Sequence, residues 1–189
     1  GLAPACPGDV TKLDYTTASI ASEIGRTAAD IERVEAAYLL GSVYTAVLPR
    51  QYRSDRGIYY TPPAVSRRLM DMADNASVDW ASATVLDPAC GGGAFLAPVA
   101  QKIAAQYDFS EAIVAAIRDR VRGWEIDPMG AWMASVLLET TVIEHIAATG
   151  TRLHDVVGKS APLDLYDDPH TFHLVIRNPP YGRTRLSPI

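Results

Sequence analysis

Thr84-Val85-Leu86-Asp87 followed by Pro88-Ala89-Cys90-Gly91-Gly92-Gly93-Ala94-Phe95-Leu96 is a short apolar run that enters three glycines and leaves into a helix. Glycines in such a loop let the backbone approach a ligand closely, and the helix start behind them offers N–H groups. Downstream, Phe95, Val99 and Ile103 mark one side of a helix from Ala94 to Tyr107. Ser110 reads as the cap of a second helix carrying Ile113, Val114 and Ile117. A second strand is expected over Val121 to Ile126. Asp127-Pro128 then pairs a cap with a proline at the first helical position, opening a helix to Ala148. Its expected face is Met129, Trp132, Met133, Val136, Leu137, Thr140 and Ile143, and Gly150 ends it. Third and fourth strands are expected over Leu153 to Val157 and Phe172 to Ile176.

Upstream, residues 1–20 are small and polar and read as poorly ordered. From Thr27 or Asp30 to Leu48, Ile31, Val34, Tyr38, Tyr44 and Leu48 recur at helical spacing, and Pro49 stops them. Thr61 reads as a cap before Pro62, with Val65, Leu69 and Met72 as the apolar face of the helix that follows. Strands alternating with helices around glycine turns give the α/β class, a doubly wound parallel sheet of about four strands behind an N-terminal helical lead. The expected division is a helical segment 1–56 and a sheet-bearing part 57–189.

Ligands of such sheets bind beyond the carboxyl ends of the strands. Asp87, Glu125 and Asn178 stand at those ends. The glycine loop lacks both G-x-G-x-x-G and G-K-[ST], so neither a dinucleotide nor a triphosphate site is written here. Asp87 would repel a phosphate and suits an amino group. Glu125 suits the hydroxyls of a ribose. A ribose, a cationic amine and no phosphate together describe S-adenosylmethionine. Asn178-Pro179-Pro180-Tyr181 adds amide and backbone acceptors, because neither proline has an N–H, together with an aromatic plate. That cluster suits the –NH2 of a flat group; taken alone it also reads as a strand-ending turn.

Composition bounds the rest. The chain has 189 residues, 48% of them hydrophobic and 21% charged, enough for one globular core. Its net charge of −5 argues against a dedicated nucleic-acid binder. Arg50, Arg53, Arg56, Arg67 and Arg68 read as a solvated face, whereas Arg177, Arg183 and Arg185 bracket the N-P-P-Y cluster. Cys6 and Cys90 suggest no disulfide framework, and His145, His154, His170 and His173 have no metal-ligand spacing, so no metal is expected and a reducing cytoplasm is the default. No apolar run is long enough for a membrane, the start shows no leader pattern, and a first residue of Gly suggests a trimmed chain.

Four segments together resemble the amino-terminal part of adenine-N6 DNA methyltransferases of restriction–modification systems. These are Gly57-Ile58-Tyr59-Tyr60-Thr61-Pro62-Pro63, Asp87 to Leu96, Trp124-Glu125-Ile126-Asp127-Pro128, and Asn178 to Tyr181. The resemblance covers roughly residues 30–185 and implies a Rossmann-like, S-adenosylmethionine-dependent fold. It implies cofactor contacts from Tyr60, Thr61, Asp87, Pro88, Ala89, Gly91, Gly93, Glu125, Ile126 and an acid of the third strand. That acid is best matched by Asp164, with Ser160 the alternative. It implies catalysis at Asn178, Pro179, Pro180 and Tyr181: Asn178 and the Pro179 carbonyl would accept the adenine amine, and Tyr181 would stack on a base flipped from the duplex. Cys90 is then a small loop residue. Two departures stand out, His173 where the family has an acid and Arg177 where it favours a small residue. The partners implied are double-stranded DNA, the rest of the catalytic sheet and a target-recognition part, all reached through the complete enzyme, with self-association through an exposed sheet edge as a further expectation. A release-factor-type glutamine methyltransferase and a binding-only fragment or split subunit remain as alternatives.

Overall fold

The computed structural model describes residues 14–158 and 171–178. Among the described residues, eight helices and four strands follow in the order α1 (Tyr15–Ala29), α2 (Arg33–Val47), α3 (Arg50–Arg56), α4 (Pro63–Asn75), β1 (Val85–Asp87), α5 (Leu96–Ala104), α6 (Ser110–Arg120), β2 (Val121–Trp124), α7 (Pro128–Thr141), α8 (Ile143–Thr149), β3 (Val157–Gly158) and β4 (Leu174–Val175). The strands form one parallel sheet in the order β3-β2-β1-β4. Val85 pairs with Val121 on one side and Leu174 on the other, and Gly123 pairs with Val157. Strand order reverses between β1 and β4, which places the switch point where Asp87 and Asn178 emerge. Among the described residues no strand covers the outer side of β4.

Helices α5, α6 and α7 pack on the sheet, and α2 packs on α7. Leu86, Leu96, Ile103, Ile117, Leu138, Ile146 and Leu153 are fully buried among them. A sheet covered in this way has strands apolar on both faces, and Val85, Leu86 and Val121 are all inaccessible to solvent. No described helix is long and apolar enough to cross a membrane, and the described residues hold no group of His, Cys, Asp or Glu arranged for a metal.

Several local expectations need correction, each for a local reason. Residues 15–20 are helical, because Asp14 caps α1 by accepting from Thr17 N–H at 3.0 Å. The lead is two helices rather than one from Thr27 or Asp30: Glu32 accepts from Val34 and Glu35 N–H, both at 3.1 Å, and starts α2. A further helix, α3, follows Pro49 and ends on Gly57 at φ 62°. The cap of α4 is Pro62, one residue beyond Thr61. Its buried face is Ser66, Met70 and Ala73, leaving Val65 and Met72 exposed. Ser66 sets that register by donating to the Ala94 carbonyl at 2.6 Å.

Ser110 is the first residue of α6 rather than its cap, and its hydroxyl meets His145 Nδ1 at 3.0 Å. The helix expected to run to Ala148 breaks at Val142. Thr140 and Thr141 turn their hydroxyls onto the Val136 and Leu137 carbonyls, and such back-bonding bends helices. The buried side of α7 is Ala131, Ala134, Ser135, Leu137, Leu138 and Glu139; Met129, Trp132, Met133 and Val136 are half-buried.

β3 is confined to Val157–Gly158. Before it, Leu153 donates its N–H to Glu139 Oε1 at 2.9 Å instead of joining the sheet. Glu139, only 2% exposed, is also gripped by the Arg152 guanidinium, with Nε at 2.9 Å from Oε1 and 3.0 Å from Oε2. This pair fixes how the chain returns from α8 to the sheet. Arg152 is part-exposed and can return to water, whereas the buried Leu153 N–H would lose its acceptor. Glu139→Ala is expected to lower unfolding free energy by about 1–3 kcal/mol, measured by urea titration.

Candidate functional site at the carboxyl edge of the sheet

Asp87 closes β1 and is completely buried beneath the glycine loop. Its Oδ1 accepts the Ala89 N–H at 3.2 Å, while Oδ2 has no hydrogen-bond partner. Burial is the main reason its carboxyl is pushed up to about 8; the Ala89 N–H opposes the rise and the nearby Glu125 charge adds to it. Pro88 is buried beside it, and the Cys90 N–H donates to the Trp124 carbonyl at 2.9 Å, binding the loop to the end of β2. The Cys90 thiol is buried and held well above its ordinary pKa by desolvation first, a small loop filler rather than a nucleophile. Gly93 takes φ +86°, and a Cβ there would sit 3.0 Å from Ala134 Cα, so the loop lies directly on α7.

Glu125 follows β2 and turns back to the same loop. Its Oε2 accepts the Gly91 N–H at 2.9 Å, and its Oε1 accepts the Asp127 N–H at 2.8 Å. Burial raises its pKa, and those two N–H groups pull against the rise. A Cβ on Gly130 would meet Glu125 Cγ at 3.0 Å, so the first turn of α7 also confines the side chain. Ile126, the next residue, is half exposed at 48% and offers an apolar surface at this edge. Asp127, 2% exposed, caps α7 by accepting from Gly130 N–H at 2.8 Å.

The segment before α4 brings in two more of the expected residues. The Tyr60 ring lies against Gly92, where a Cβ would fall 2.6 Å from the ring, and against Gly41 of α2, where it would fall 2.8 Å away. The Tyr60 hydroxyl is buried without a hydrogen-bond partner, and burial raises its pKa. Thr61 is buried, and its Oγ1 accepts from Asn178 Nδ2 at 3.3 Å. The start of N-P-P-Y thus meets a residue 117 positions earlier. His173 has a scaffold role at the other end of this region: its Nδ1 accepts the Thr84 N–H at 3.1 Å at the entry to β1. Asp164, Ser160, Pro179, Pro180 and Tyr181 lie outside the described residues.

The edge therefore gathers Tyr60, Thr61, the 87–93 loop, Glu125, Ile126 and Asn178, all within one parallel α/β framework. Residues 35–187 match the family model described as N-6 DNA Methylase. The chain belongs to that family. Among curated members of known type, this N-6 DNA methylase chain is similar to the methylase subunit of the type I restriction enzyme EcoEI of Escherichia coli, 24% identical over 156 residues. That match takes in 82% of the chain but 30% of the subunit, so the chain spans under a third of its relative's length. Among solved structures it superposes on a DrdV–DNA complex with a TM-score of 0.56 at 18% identity, covering 80% of this chain and 16% of that one. At that identity the likeness concerns the fold.

Reading the sequence missed Tyr44 and Tyr52, whose hydroxyls both reach Asp127, at 3.0 Å to Oδ2 and 3.1 Å to Oδ1 respectively. Tyr44 reads as one more apolar position of a helix, and nothing local distinguishes it. The arginine segment is largely solvated, as its composition suggests: Arg50, Arg56, Arg67 and Arg68 are exposed and Arg53 is half-buried, with the Arg56 guanidinium 4.1 Å from the Tyr52 ring centroid.

Asp87 carries a pH signature. Its folded pKa of about 8 lies above the ordinary aspartate value, so the folded state holds a proton that the unfolded state has lost. Its contribution to stability is complete at low pH, where both states are protonated, and is lost as pH rises through about 8. Glu125 acts in the same direction. Asp87→Asn should flatten the decline in melting temperature between pH 5 and 8, which a scan of thermal unfolding against pH would detect; an unchanged slope would mean that Asp87 is ionised in the fold.

Proposed function

We propose that this chain is the cofactor- and acceptor-binding part of a DNA adenine-N6 methyltransferase of the restriction–modification type, with S-adenosylmethionine as methyl donor and a Rossmann-like catalytic sheet. The observation that carries the reading is convergence: Tyr60 on Gly92, Glu125 on the Gly91 N–H, and Thr61 on Asn178 bring three motif segments and the first residue of the fourth to one sheet edge. Residues 57–189 would be the catalytic part and residues 1–56 its helical lead.

The residues present fit the cofactor. Asp87 to Leu96 contains no Lys or Arg, and the buried acid beneath it disfavours a phosphate while favouring a cation. Each Glu125 oxygen already accepts one N–H, and a carboxylate oxygen can accept a second donor, so ribose hydroxyls suit it. Ile126 offers the apolar surface for an adenine ring, and Pro88, Ala89, Gly91 and Gly93 form the close-approach loop, with Asp164 as the expected further acid. S-adenosylmethionine, when bound, supplies a methyl group on a sulfonium. Asn178, whose Nδ2 donates to Thr61, would accept from the exocyclic amine of adenine through its side-chain oxygen, with the Pro179 carbonyl as second acceptor. Pro180 and Tyr181 complete the proposed catalytic set, with Tyr181 to stack on the flipped base. These groups work by positioning and by electrostatics.

Double-stranded DNA and the remaining parts of a longer enzyme or subunit assembly are the proposed partners, and catalysis is a property of that whole. The family match favours this reading over a glutamine methyltransferase. Glu125→Ala is expected to weaken S-adenosylhomocysteine binding by about 1–3 kcal/mol in calorimetry. Asn178→Ala in the complete enzyme should cost about 2.7–4 kcal/mol in methyl transfer, by analogy with lost catalytic hydrogen bonds, while changing cofactor affinity less than Glu125→Ala does. Tritium transfer to adenine-containing DNA measures it. Full activity of the Asn178→Ala enzyme would sink the assignment.

A further inference from the structure

Asp127 receives more donors than a helix cap needs. One N–H, that of Gly130 at 2.8 Å, completes the cap. Two phenols from a distant part of the chain are added: Tyr44 of α2, at 3.0 Å from Oδ2 and 3.3 Å from Oδ1, and Tyr52 of α3, at 3.1 Å from Oδ1. They arrive from opposite sides of the Leu48–Pro49 break between the two helices. The Arg56 guanidinium, 4.1 Å above the Tyr52 ring, braces that phenol from α3 itself. Simple docking of the lead has no need of these hydroxyls, since α2 already packs on α7 through its own surface.

The same Asp127 residue donates its backbone N–H to Glu125 Oε1 at 2.8 Å. Its side chain fixes the backbone that orients the neighbouring acid. The two carboxylates also repel, and the Asp127 charge is one of the influences raising the Glu125 pKa. Donors on Asp127 disperse that charge and keep it close to Glu125. Both phenols have raised pKa values, through burial first and Asp127 second, so they remain protonated donors at neutral pH.

We propose that Tyr44 and Tyr52 are positioning residues of the cofactor site: their hydroxyls hold Asp127, Asp127 holds Glu125, and the helical lead thereby sets the ribose-binding geometry of the sheet edge. This rests on the reading of Glu125 as the ribose acid. It makes the lead a working part of the site rather than a separate appendage, and it gives anything that moves α2 or α3 a route to cofactor affinity.

The test uses Tyr44→Phe, Tyr52→Phe and the double variant, which keep the rings and lose only the hydroxyls. Tyr107→Phe is the reference, because its hydroxyl donates to the Ala81 carbonyl at 3.1 Å, ahead of β1 and away from its carboxyl end. Two readouts are needed. Hydrogen exchange of the Asp127 and Gly91 amides, without ligand, reports the grip on Glu125. Calorimetry with S-adenosylhomocysteine, below the onset of melting, reports affinity. Each single variant should lose about threefold in affinity and the double about tenfold, in line with one modest hydrogen bond per hydroxyl, and Asp127 exchange should accelerate. Tyr107→Phe should lose stability but change neither readout. Should the double variant fail to fold, Tyr52→Phe alone decides, since α3 is short and has no buried residue. Unchanged Asp127 exchange in a folded variant overturns the proposal whatever the ligand does. Faster exchange in a protein whose wild type takes no S-adenosylhomocysteine upholds the positioning and overturns only the cofactor reading.

Discussion

A single carboxylate at the end of β2 joins three parts of the chain. Glu125 accepts one N–H from the glycine loop after β1 and one from the start of α7, so the loop, the strand end and the helix start share one set of coordinates. Burying a carboxylate costs free energy unless its lone pairs are used, and here two backbone donors held by the surrounding fold use them. The glycines follow from this. Gly130 leaves room for the Glu125 stem, and Gly91, at φ +53°, can point its N–H at the acid in a conformation that other residues adopt with strain.

Three acids lie along this edge, and the fold treats them differently. Asp127 is the best supplied, with a backbone donor and two phenols. Glu125 has two backbone donors and is partly buried. Asp87 has one weak donor and is fully buried. The gradient runs from a group fixed for architecture to one whose charge is disfavoured until something compensates it.

Features resting on local chemistry were legible in the sequence. The loop 87–96, the Asp127-Pro128 helix start and the Gly150 stop each lie within a few residues of their cause, and each is found in place. The α/β class with a parallel sheet follows from the alternation of strands and helices. What escaped depends on distant partners or competing side-chain bonds. Helix α3 has no apolar face and is held through Tyr52, 75 residues from Asp127. The break at Val142 comes from two threonines that favour their own backbone. Thr61 looks like a cap because Ser, Thr and Asp commonly precede prolines at helix starts, whereas here it meets Asn178 across the sheet edge.

The Tyr60 ring, lying against Gly41 and Gly92, has a bearing on how such chains diverge. Position 41 sits in the middle of α2, where glycine costs about 1 kcal/mol relative to alanine. The cost is tolerated because a methyl there would fall 2.8 Å from the ring, as one on Gly92 would at 2.6 Å. The three positions therefore share one volume. A larger residue entering at 41 or 92 is compatible with the fold only if the ring at 60 has already been lost or reduced. Substitutions here should accumulate in a fixed order through descent, with position 60 changing first, so that the three sites record their history jointly.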